Sequence, residues 1–229
     1  MPIVKVIIPA YNEANSIALV VKDIPSIVNE VIVVNNNSTD ETAINAEKAG
    51  ATVLSEPNRG YGNACLKGME YIANQETKPN ILVFLDGDYS DFPEELVKIV
   101  DPIINDDVDF VIGARVKRLR EVGSMTKPQI FGNWFASILM RIIYRSRFTD
   151  LGPFRAIKYD KLLALNMEDK TYGWTVEMQL KALKQKLVYV EIPVNYRNRI
   201  GVSKVSGTLK GAIFAGAKIL IWIFKYSFK

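Results

Sequence analysis

The sequence predicts an α/β fold with a mostly parallel central sheet. Over the first 114 residues, short runs rich in β-branched residues alternate with amphipathic stretches of helical periodicity. Helices placed between successive strands allow those strands to run parallel, with helices covering both faces of the sheet. A chain of 229 residues with 48% hydrophobic content is long enough to bury the core of one such domain.

The predicted elements follow one another in a regular order. Strands are expected at residues 4–9, 30–35, 51–55, 81–85 and 109–114, where the β-branched runs lie. Helices are expected at residues 15–24, 40–49, 61–73 and 93–104, and Gly50 ends the second of them. Beyond Ala114 the alternation stops, and the patterns predict helices at residues 129–144, 159–165 and 175–184 and one strand at residues 188–194.

The composition excludes several kinds of catalytic site. The chain has no histidine, which removes Ser-His-Asp triads, haem ligation and the usual zinc sites. Cys65 is the single cysteine, so an internal disulfide cannot form, as is typical of a protein in the reducing cytoplasm. The chain also lacks the pattern of a signal peptide. Its chemistry must therefore depend on carboxylates, Lys, Arg, hydroxyl groups and a hard metal ion.

Three polar loops follow predicted strands and should meet at one edge of the sheet. They lie at residues 9–13, 35–40 and 86–88. Ligands of parallel sheets bind at the carboxyl ends of the strands. Asp86 and Asp88, two carboxylates just after a buried strand, are suited to hold a divalent cation against nucleotide phosphates. The alternative is a set of polar turns and helix caps, with Ser38 and Glu41 as a capping box.

Two familiar nucleotide-binding patterns are missing from the sequence. No G-x-G-x-x-G follows the first strand, which disfavours a dinucleotide-binding Rossmann domain. No G-x-x-x-x-G-K-[ST] occurs either, so the chain is not expected to be a P-loop NTPase. A nucleotide bound by this sheet would need a different phosphate site.

A basic zone extends over residues 115–147. It holds eight cations against one acid, Glu121, although the net charge of the whole chain is only +4. Such a zone indicates phosphate, anionic lipid or nucleic acid as a partner, and the alternative is a solvated basic face. Apolar residues separate the cations, so lipid is favoured over nucleic acid.

The C-terminal stretch predicts an amphipathic helix. Its apolar runs are interrupted by Lys218 and Lys225, and so fall short of the roughly 18 uninterrupted apolar residues of a membrane span. On a helical wheel these two lysines share one narrow stripe with Lys210 and Lys229. We expect the helix to lie in a membrane interface, with docking onto the chain's own body or a second protomer as the alternative.

Seven motifs in order carry a resemblance to a known family. They lie at residues 6–13 (VIIPAYNE), 37–40 (NSTD), 58–64 (NRGYGNA), 86–88 (DGD), 150–155 (DLGPFR), 172–178 (YGWTVEM) and 196–204 (YRNRIGVSK). Together they resemble family 2 glycosyltransferases with the GT-A fold, and within that family the polyprenyl-phosphate (dolichyl-phosphate) hexose synthases. The resemblance implies one Rossmann-like GT-A catalytic domain at residues 1–204, followed by the amphipathic helix within residues 205–229.

The resemblance implies a donor site for a UDP- or GDP-sugar. Pro9, Tyr11 and Glu13 would line the base and ribose pocket, and Asp40 would accept a hydrogen bond from the base. The other implied nucleotide-sugar contacts are Arg59, Gly60, Asp86 and Gly87. Asp88 would be the principal ligand of Mg²⁺ or Mn²⁺, with Asp86 beside it, and the metal would stabilise the leaving diphosphate. Ser90 stands where relatives often carry a third ligand, and water can replace it there.

The resemblance also implies an acceptor site. The implied acceptor-phosphate residues are Arg115, Arg197, Arg199, Ser203 and Lys204, whose alternative role is in ordinary surface salt bridges. A phosphate oxygen is already nucleophilic and needs no general base, in keeping with a chain without histidine. Glu177 stands where sugar-accepting relatives carry a catalytic base, and we include it among the catalytic candidates with Asp86 and Asp88. Its alternative is an i,i+4 pair with Lys181.

The function implied is that of an inverting hexosyltransferase that acts on a polyprenyl phosphate. The enzyme would be cytoplasmic and attached peripherally to the membrane surface, and a homo-oligomer is compatible with the sequence. One alternative is transfer to a sugar hydroxyl in polysaccharide or glycan assembly, with Glu177 as the base. Another is a catalytically silent module that binds nucleotide-sugars. The residues do not distinguish UDP from GDP.

Overall fold

The computed structural model of the chain describes residues 2–201 and 209–227. The strands are β1 (Val4–Ala10), β2 (Glu30–Asn35), β3 (Thr52–Ser55), β4 (Ile81–Phe84), β5 (Phe110–Ala114), β6 (Arg155–Lys158) and β7 (Tyr189–Pro193). The α-helices are α1 (Ile17–Asp23), α2 (Thr42–Lys48), α3 (Tyr61–Asn74), α4 (Leu96–Asn105), α5 (Lys127–Tyr144), α6 (Tyr159–Leu165), α7 (Trp174–Lys184) and α8 (Leu209–Ser227). Short 3₁₀ segments lie at Pro93–Glu95 and Lys117–Leu119.

The strands form one seven-stranded sheet in the order β3-β2-β1-β4-β6-β5-β7. The pairs β1–β2, β1–β4, β2–β3 and β5–β7 are parallel. All four residues of β4 are buried, as expected of a parallel strand covered on both faces. The predicted α/β fold with a mostly parallel sheet is confirmed, and β1 and β4 end at the same edge of it.

One strand is missing from the sequence prediction. The four residues of β6 pair antiparallel with both β4 and β5, between the helices predicted at residues 129–144 and 159–165, where the sequence patterns predict no strand. Arg155 begins the strand and is fully buried, and it donates hydrogen bonds to the carbonyl oxygens of Gly152 at 3.1 Å and Thr175 at 2.9 Å. A strand this short has no period to read, and its position depends on pairing with strands that are distant in sequence.

The core has two layers, one on each face of the sheet. Alternate residues of β4 point to opposite faces, so Leu82 and Phe84 join one hydrophobic cluster and Val83 joins the other. The first cluster includes Trp174 of α7, and the second includes Ile99 of α4. The face with α7 also carries the helices that surround the candidate site.

The C-terminal helix α8 packs on the body of the protein. Trp222 and Ile223 are buried in the first cluster, whereas Ile221 is 60% exposed and Phe224 is 47% exposed. Lys218 forms an ion pair of 3.0 Å with the acid Asp169. Docking on the chain's own body, the sequence's alternative for this helix, is therefore observed. Within residues 2–201 and 209–227, no helix is long and apolar enough to cross a membrane.

Candidate active site

A cavity of about 670 Å³ lies where β1 and β4 end. Many of the residues singled out from the sequence line it, and these are Pro9, Tyr11, Glu13, Arg59, Gly60, Asp86, Gly87, Asp88, Arg115 and Arg199. The loops after β1 and β4 thus meet as expected at the carboxyl end of the sheet. The volume and the mixed polar and apolar lining are typical of a small-molecule site.

The loop after β2 supports the loop after β1. Ser38 Oγ accepts a hydrogen bond from the Asn12 N–H at 3.0 Å, and Asn12 Oδ1 accepts one from the Thr39 N–H at 2.8 Å. The alternative of a capping box at Ser38 and Glu41 is not observed, because Ser38 binds the neighbouring loop and Glu41, at the N-cap of α2, makes no side-chain cap hydrogen bond to the described residues. The two loops are therefore joined by side chain–backbone contacts.

Asp40 lies outside the cavity. Its carboxylate accepts hydrogen bonds from the backbone N–H groups of Ala14 at 3.2 Å and Thr42 at 3.0 Å, and the residue is exposed. Asn36, from the same loop, does line the cavity. Its Oδ1 accepts a hydrogen bond from the Gly60 N–H at 2.7 Å, so it positions the segment that carries Arg59. Asp40 is thus not among the residues that line the cavity, whereas Asn36 is, and the base contact of Asp40 stays a prediction.

An aromatic ring and a guanidinium group form one wall of the cavity. The guanidinium carbon of Arg59 lies 3.7 Å from the centroid of the Tyr11 ring, close enough for a cation–π contact. Both side chains line the cavity on the side of β1 and α3. A flat, delocalised surface of this kind can stack with a nucleobase, as the sequence expects of Tyr11.

Asp88 is buried and paired with a cation. Its Oδ2 lies 2.7 Å from a guanidinium nitrogen of Arg199, and the side chain is 6% exposed. Its Oδ1 accepts hydrogen bonds from the Ser90 N–H at 3.0 Å and the Ser90 hydroxyl at 2.5 Å. Ser90 thus orients the carboxylate of Asp88. The ion pair with Arg199 places a positive group from the cavity wall beside the same carboxylate.

Asp86 offers an unpartnered oxygen beside this pair. Its Oδ1 is buried without a hydrogen bond within the described residues. Two hard carboxylates at the cavity floor, one with an orphaned oxygen, fit a divalent cation such as Mg²⁺ or Mn²⁺. No group of three or more Cys, Asp or Glu side chains in residues 2–201 and 209–227 could hold a metal. Asp86 and Asp88 are the residues that would hold the ion, which would neutralise a bound diphosphate.

Burial perturbs the acids that follow β4. Burial, and then the charge of Asp88, raise the pKa of Asp86 to about 7, although Arg199 acts in the opposite direction. Asp91 is buried nearby, and neither of its carboxylate oxygens has a hydrogen-bond partner among residues 2–201 and 209–227; burial raises its pKa well above the ordinary value. Arg199 pairs with Asp88 at this edge of the sheet, whereas Asp86 and Asp91 have buried oxygens that no described residue hydrogen-bonds.

The predicted acceptor arginines have different surroundings. Arg115 lines the cavity, and its guanidinium binds Asp150 with two hydrogen bonds, from Nη2 to Oδ1 at 2.7 Å and from Nε to Oδ2 at 2.9 Å. Arg197 lies outside the cavity between the rings of Tyr89 and Phe92, at 3.5 and 4.0 Å from their centroids. Its Nε also donates a hydrogen bond to the Tyr89 carbonyl at 2.8 Å, and its phosphate contact stays a prediction. Ser203 and Lys204 lie outside the described residues.

Glu177 is a buried structural residue. Its carboxylate accepts the N–H groups of Glu168 and Asp169, both at 2.8 Å, and pairs with Lys181 at 2.7 Å. It is not part of the cavity lining. The i,i+4 pair with Lys181, the alternative to a catalytic role, is observed.

Helix α5 supplies a wall of the cavity that the sequence did not assign. Pro128, Gln129, Gly132 and Asn133 line the cavity. The same turns carry large apolar side chains that are exposed, namely Ile130, Phe131, Trp134 and Phe135. Small and polar residues alternate with aromatic ones at helical spacing here, which is the signal that could have assigned this face. Thr171, Tyr172 and Thr175 were missed too, because tertiary packing brings them to the site.

A family model and several curated relatives match the chain. The model described as Glycosyl transferase family 2 matches residues 5–164. An uncharacterized glycosyltransferase of Mycobacterium tuberculosis is 34% identical over 215 residues, which cover 93% of this chain and 94% of that protein. An undecaprenyl-phosphate mannosyltransferase of Micrococcus luteus is 31% identical, over 90% of this chain and 88% of its own length. A UDP-N-acetylglucosamine–dolichyl-phosphate N-acetylglucosaminyltransferase of Methanococcus voltae is 28% identical, with 84% of each chain covered.

Solved structures share the fold. Glucosyl-3-phosphoglycerate synthase from Mycobacterium tuberculosis, crystallised with Mn²⁺, UDP-glucose and phosphoglyceric acid, superposes with a TM-score of 0.77. The match covers 99% of this chain and 80% of that chain at 20% identity. A structure of that synthase with Mg²⁺ and UDP gives a TM-score of 0.76 at 19% identity, over 98% and 79% of the two chains. At this identity the likeness shows the fold alone.

We expect the affinity for Mn²⁺ to rise with pH until Asp86 is deprotonated. The pKa of this carboxyl is about 7, so below that pH a proton must leave before the metal binds. The affinity should fall about tenfold for each pH unit below about 7 and level off above it. Titration with Mn²⁺, followed by electron paramagnetic resonance, measures this dependence. An affinity that stays constant from about pH 5.5 to about pH 8 would contradict it, and Asp86→Asn should bind weakly throughout.

We expect Asp91→Asn to stabilise the metal-free protein as the pH rises. The raised pKa of Asp91 means that the folded state retains a proton that the unfolded chain releases above about pH 4. The stabilisation by this group is full below that pH and is lost as the pH rises toward the folded pKa. The variant should therefore melt at least about 2 °C higher than the wild type at about pH 8, with a smaller gain at about pH 5.

Thermal unfolding followed by circular dichroism at both pH values tests this expectation for Asp91. The matched control is Asp106→Asn, which changes an exposed carboxylate and should alter the melting temperature little at either pH. A gain for Asp91→Asn that is the same at both pH values would argue against a buried protonated carboxyl.

Proposed function

The chain belongs to glycosyltransferase family 2, and on this basis we propose that it transfers a hexose from a UDP- or GDP-sugar to a polyprenyl phosphate at a membrane surface. The donor would bind in the cavity at the end of β1 and β4, with Mn²⁺ or Mg²⁺ at Asp86 and Asp88. The acceptor phosphate would enter beside α5. The reaction is a single displacement, so the anomeric configuration inverts.

The donor half of the proposal rests on the residues of the cavity. Tyr11 and Arg59 provide a flat surface for the base, and Asn36 holds the segment that carries Arg59. The acids Asp86 and Asp88 supply the oxygens for a divalent cation, which would neutralise the diphosphate as it leaves. Structures with the same fold hold UDP together with Mn²⁺ or Mg²⁺, which supports this arrangement.

The acceptor half rests on cations at the same cavity. Arg115 and Arg199 both line it, and an acceptor monophosphate carries nearly two negative charges. Arg199 pairs with Asp88 and could exchange that carboxylate for an anionic substrate group. A phosphate oxygen would then attack the anomeric carbon while the bond from that carbon to the diphosphate breaks. No proton has to be removed from the nucleophile, so the burial of Glu177 outside the cavity is no obstacle.

The single observation that carries the membrane assignment is the two-sided character of α5. Gly132 and Asn133 line the cavity, while Phe131 is 63% exposed and Trp134 is 55% exposed on the same turns. Exposed cations flank these aromatic side chains within the basic zone, among them Lys127, Arg141 and Arg145. Exposed aromatic residues beside cations favour the interface of an anionic membrane. A lipid-linked phosphate would therefore reach the cavity directly from the bilayer surface.

The relatives support this acceptor class over the alternatives. Two of them are named for transfer to undecaprenyl phosphate and to dolichyl phosphate. Transfer to a sugar hydroxyl would require a base, and Glu177 is held by backbone N–H groups and Lys181 instead. A catalytically silent module would not need Asp86 beside Asp88 with an oxygen that no described residue hydrogen-bonds.

We expect the full-length protein with Mn²⁺ to transfer radiolabelled hexose to undecaprenyl or dolichyl phosphate. UDP-glucose, UDP-N-acetylglucosamine and GDP-mannose are tested as donors, and the product is measured by extraction into organic solvent. Asp88→Asn should lower the rate at least about a hundredfold, since it removes the principal metal ligand. Transfer to a sugar hydroxyl or to phosphoglyceric acid, with none to either polyprenyl phosphate, would contradict the proposed acceptor.

We expect Phe131→Ser combined with Trp134→Ser to weaken binding to anionic vesicles at least about tenfold, because two interfacial aromatic side chains are lost. Transfer to a long-chain polyprenyl phosphate in those vesicles should fall in parallel, whereas UDP binding should not change. Flotation with vesicles containing phosphatidylglycerol measures the binding.

The matched control for this pair is Leu163→Ser, which removes a half-exposed apolar side chain from α6. It should bind vesicles as the wild type does. Vesicle binding by the α5 double variant that equals the wild type would refute α5 as the membrane-facing element.

A further inference from the structure

The loop at residues 169–173 joins the donor cavity to the C-terminal helix. Thr171 and Tyr172 of this loop line the cavity. Asp169, at its start, is 2% exposed and lies between the loop and α8. The hydrogen bonds and the ion pair of Asp169 therefore show what this buried acid holds together.

Asp169 receives hydrogen bonds from two separate elements. Its Oδ1 accepts the N–H groups of Thr171 at 2.7 Å and Gly173 at 3.0 Å, and so fixes the shape of the loop. Its Oδ2 accepts the Trp222 Nε1–H at 2.6 Å and lies 3.0 Å from the Lys218 ammonium of α8. Burial acts to raise the pKa of Asp169, but hydrogen bonds from Thr171, Trp222 and Lys218 lower it below its ordinary value. The carboxylate is therefore ionised, and its hydrogen bonds are of the stronger, charge-assisted kind.

The loop is also in backbone contact with the first turn of α3. The Asn63 N–H donates to the Lys170 carbonyl at 3.0 Å. A Cβ atom added to Gly60 would lie 2.1 Å from that carbonyl oxygen, and one added to Gly62 would lie 1.9 Å from the Asp169 carbonyl oxygen. Because the backbones are this close, the loop cannot move toward α3 unless the start of α3 moves with it. A displaced loop would move the start of α3, which follows Arg59 in the cavity wall.

The contact with α8 is equally close. A Cβ atom added to Gly173 would lie 2.3 Å from Trp222 Nε1, so the indole ring rests directly on the loop. Ile219, one turn earlier in α8, lines the cavity itself. Contacts therefore continue from α8 through Asp169 and the loop to the segment that carries Arg59.

We propose that Asp169 is a positioning residue of the donor cavity and that α8 holds it in place through Trp222 and Lys218. The C-terminal helix thereby sets the affinity for the nucleoside diphosphate, although it lies at the opposite end of the sequence from the β1 loop. The inference rests on the donor half of the proposed function and is independent of the acceptor. The coupling is reciprocal, so nucleotide binding must also stabilise the docking of α8.

Two lysine variants of the full-length chain test the inference. Lys218→Met removes the ion pair with Asp169, while the control Lys98→Met removes the same charge from an exposed side chain that pairs with Glu95 at 2.7 Å, on α4 at the other face of the sheet. Calorimetry with UDP and Mn²⁺, or with GDP if the wild type prefers it, should show binding about tenfold weaker for Lys218→Met. Lys98→Met should bind as the wild type does. Equal affinities for the two variants would overturn the proposal.

Hydrogen exchange of the wild type gives a second test that needs no substitution. Addition of UDP and Mn²⁺ should slow amide exchange at residues 171–173 and also at residues 216–226 of α8. Slower exchange at residues 59–63 without any change in α8 would overturn the coupling. Failure of the acceptor assignment has a different signature, since UDP would still bind but no hexose would reach a polyprenyl phosphate.

Discussion

The candidate site depends on the burial of several carboxyl groups just after one strand. β4 delivers Asp86, Asp88 and Asp91 to one edge of the sheet, where Asp88, Asp91 and the Oδ1 atom of Asp86 are buried, and a buried charge is costly unless it is paired. Arg199 neutralises Asp88, whereas Oδ1 of Asp86 has no hydrogen-bond partner in the part of the chain that the structure describes. The fold thus holds a deficit of positive charge at the place where a divalent metal ion, bound together with the substrate diphosphate, would supply it.

Much of this arrangement could be predicted from the sequence, because strand ends fix the location of the residues that follow them. β1 and β4 have clear apolar runs, so the loops with Tyr11 and Asp86 were expected at one edge, and both line the cavity. β6 could not be predicted in the same way. Its four residues have no readable period, and only pairing with β4 and β5 makes them a strand.

The direction of a side chain was less predictable than its location. Asp40, Glu177 and Arg197 all lie in motifs of the family, yet each binds backbone groups of the protein and none lines the cavity. A motif gives the element on which a residue lies, while its partners depend on neighbours that are distant in sequence. For the same reason the lining residues of α5 and of the 171–175 segment were missed, since these elements reach the cavity through tertiary packing.

The C-terminal helix shows what an amphipathic pattern leaves open. The pattern predicts two faces but not which of them meets the protein, and a lysine stripe is ordinarily expected to face water. Here Asp169 and Glu168 draw Lys218 and Lys225 toward the body of the protein. Apolar side chains of the same helix lie on both sides of it, since Trp222 and Ile223 are buried whereas Ile221 and Phe224 are exposed, and Lys218 pairs with the buried Asp169. Lys218 of α8 pairs with Asp169, the carboxylate that shapes a cavity loop. A contact made at the outer surface of α8 therefore has a direct physical route to the donor site.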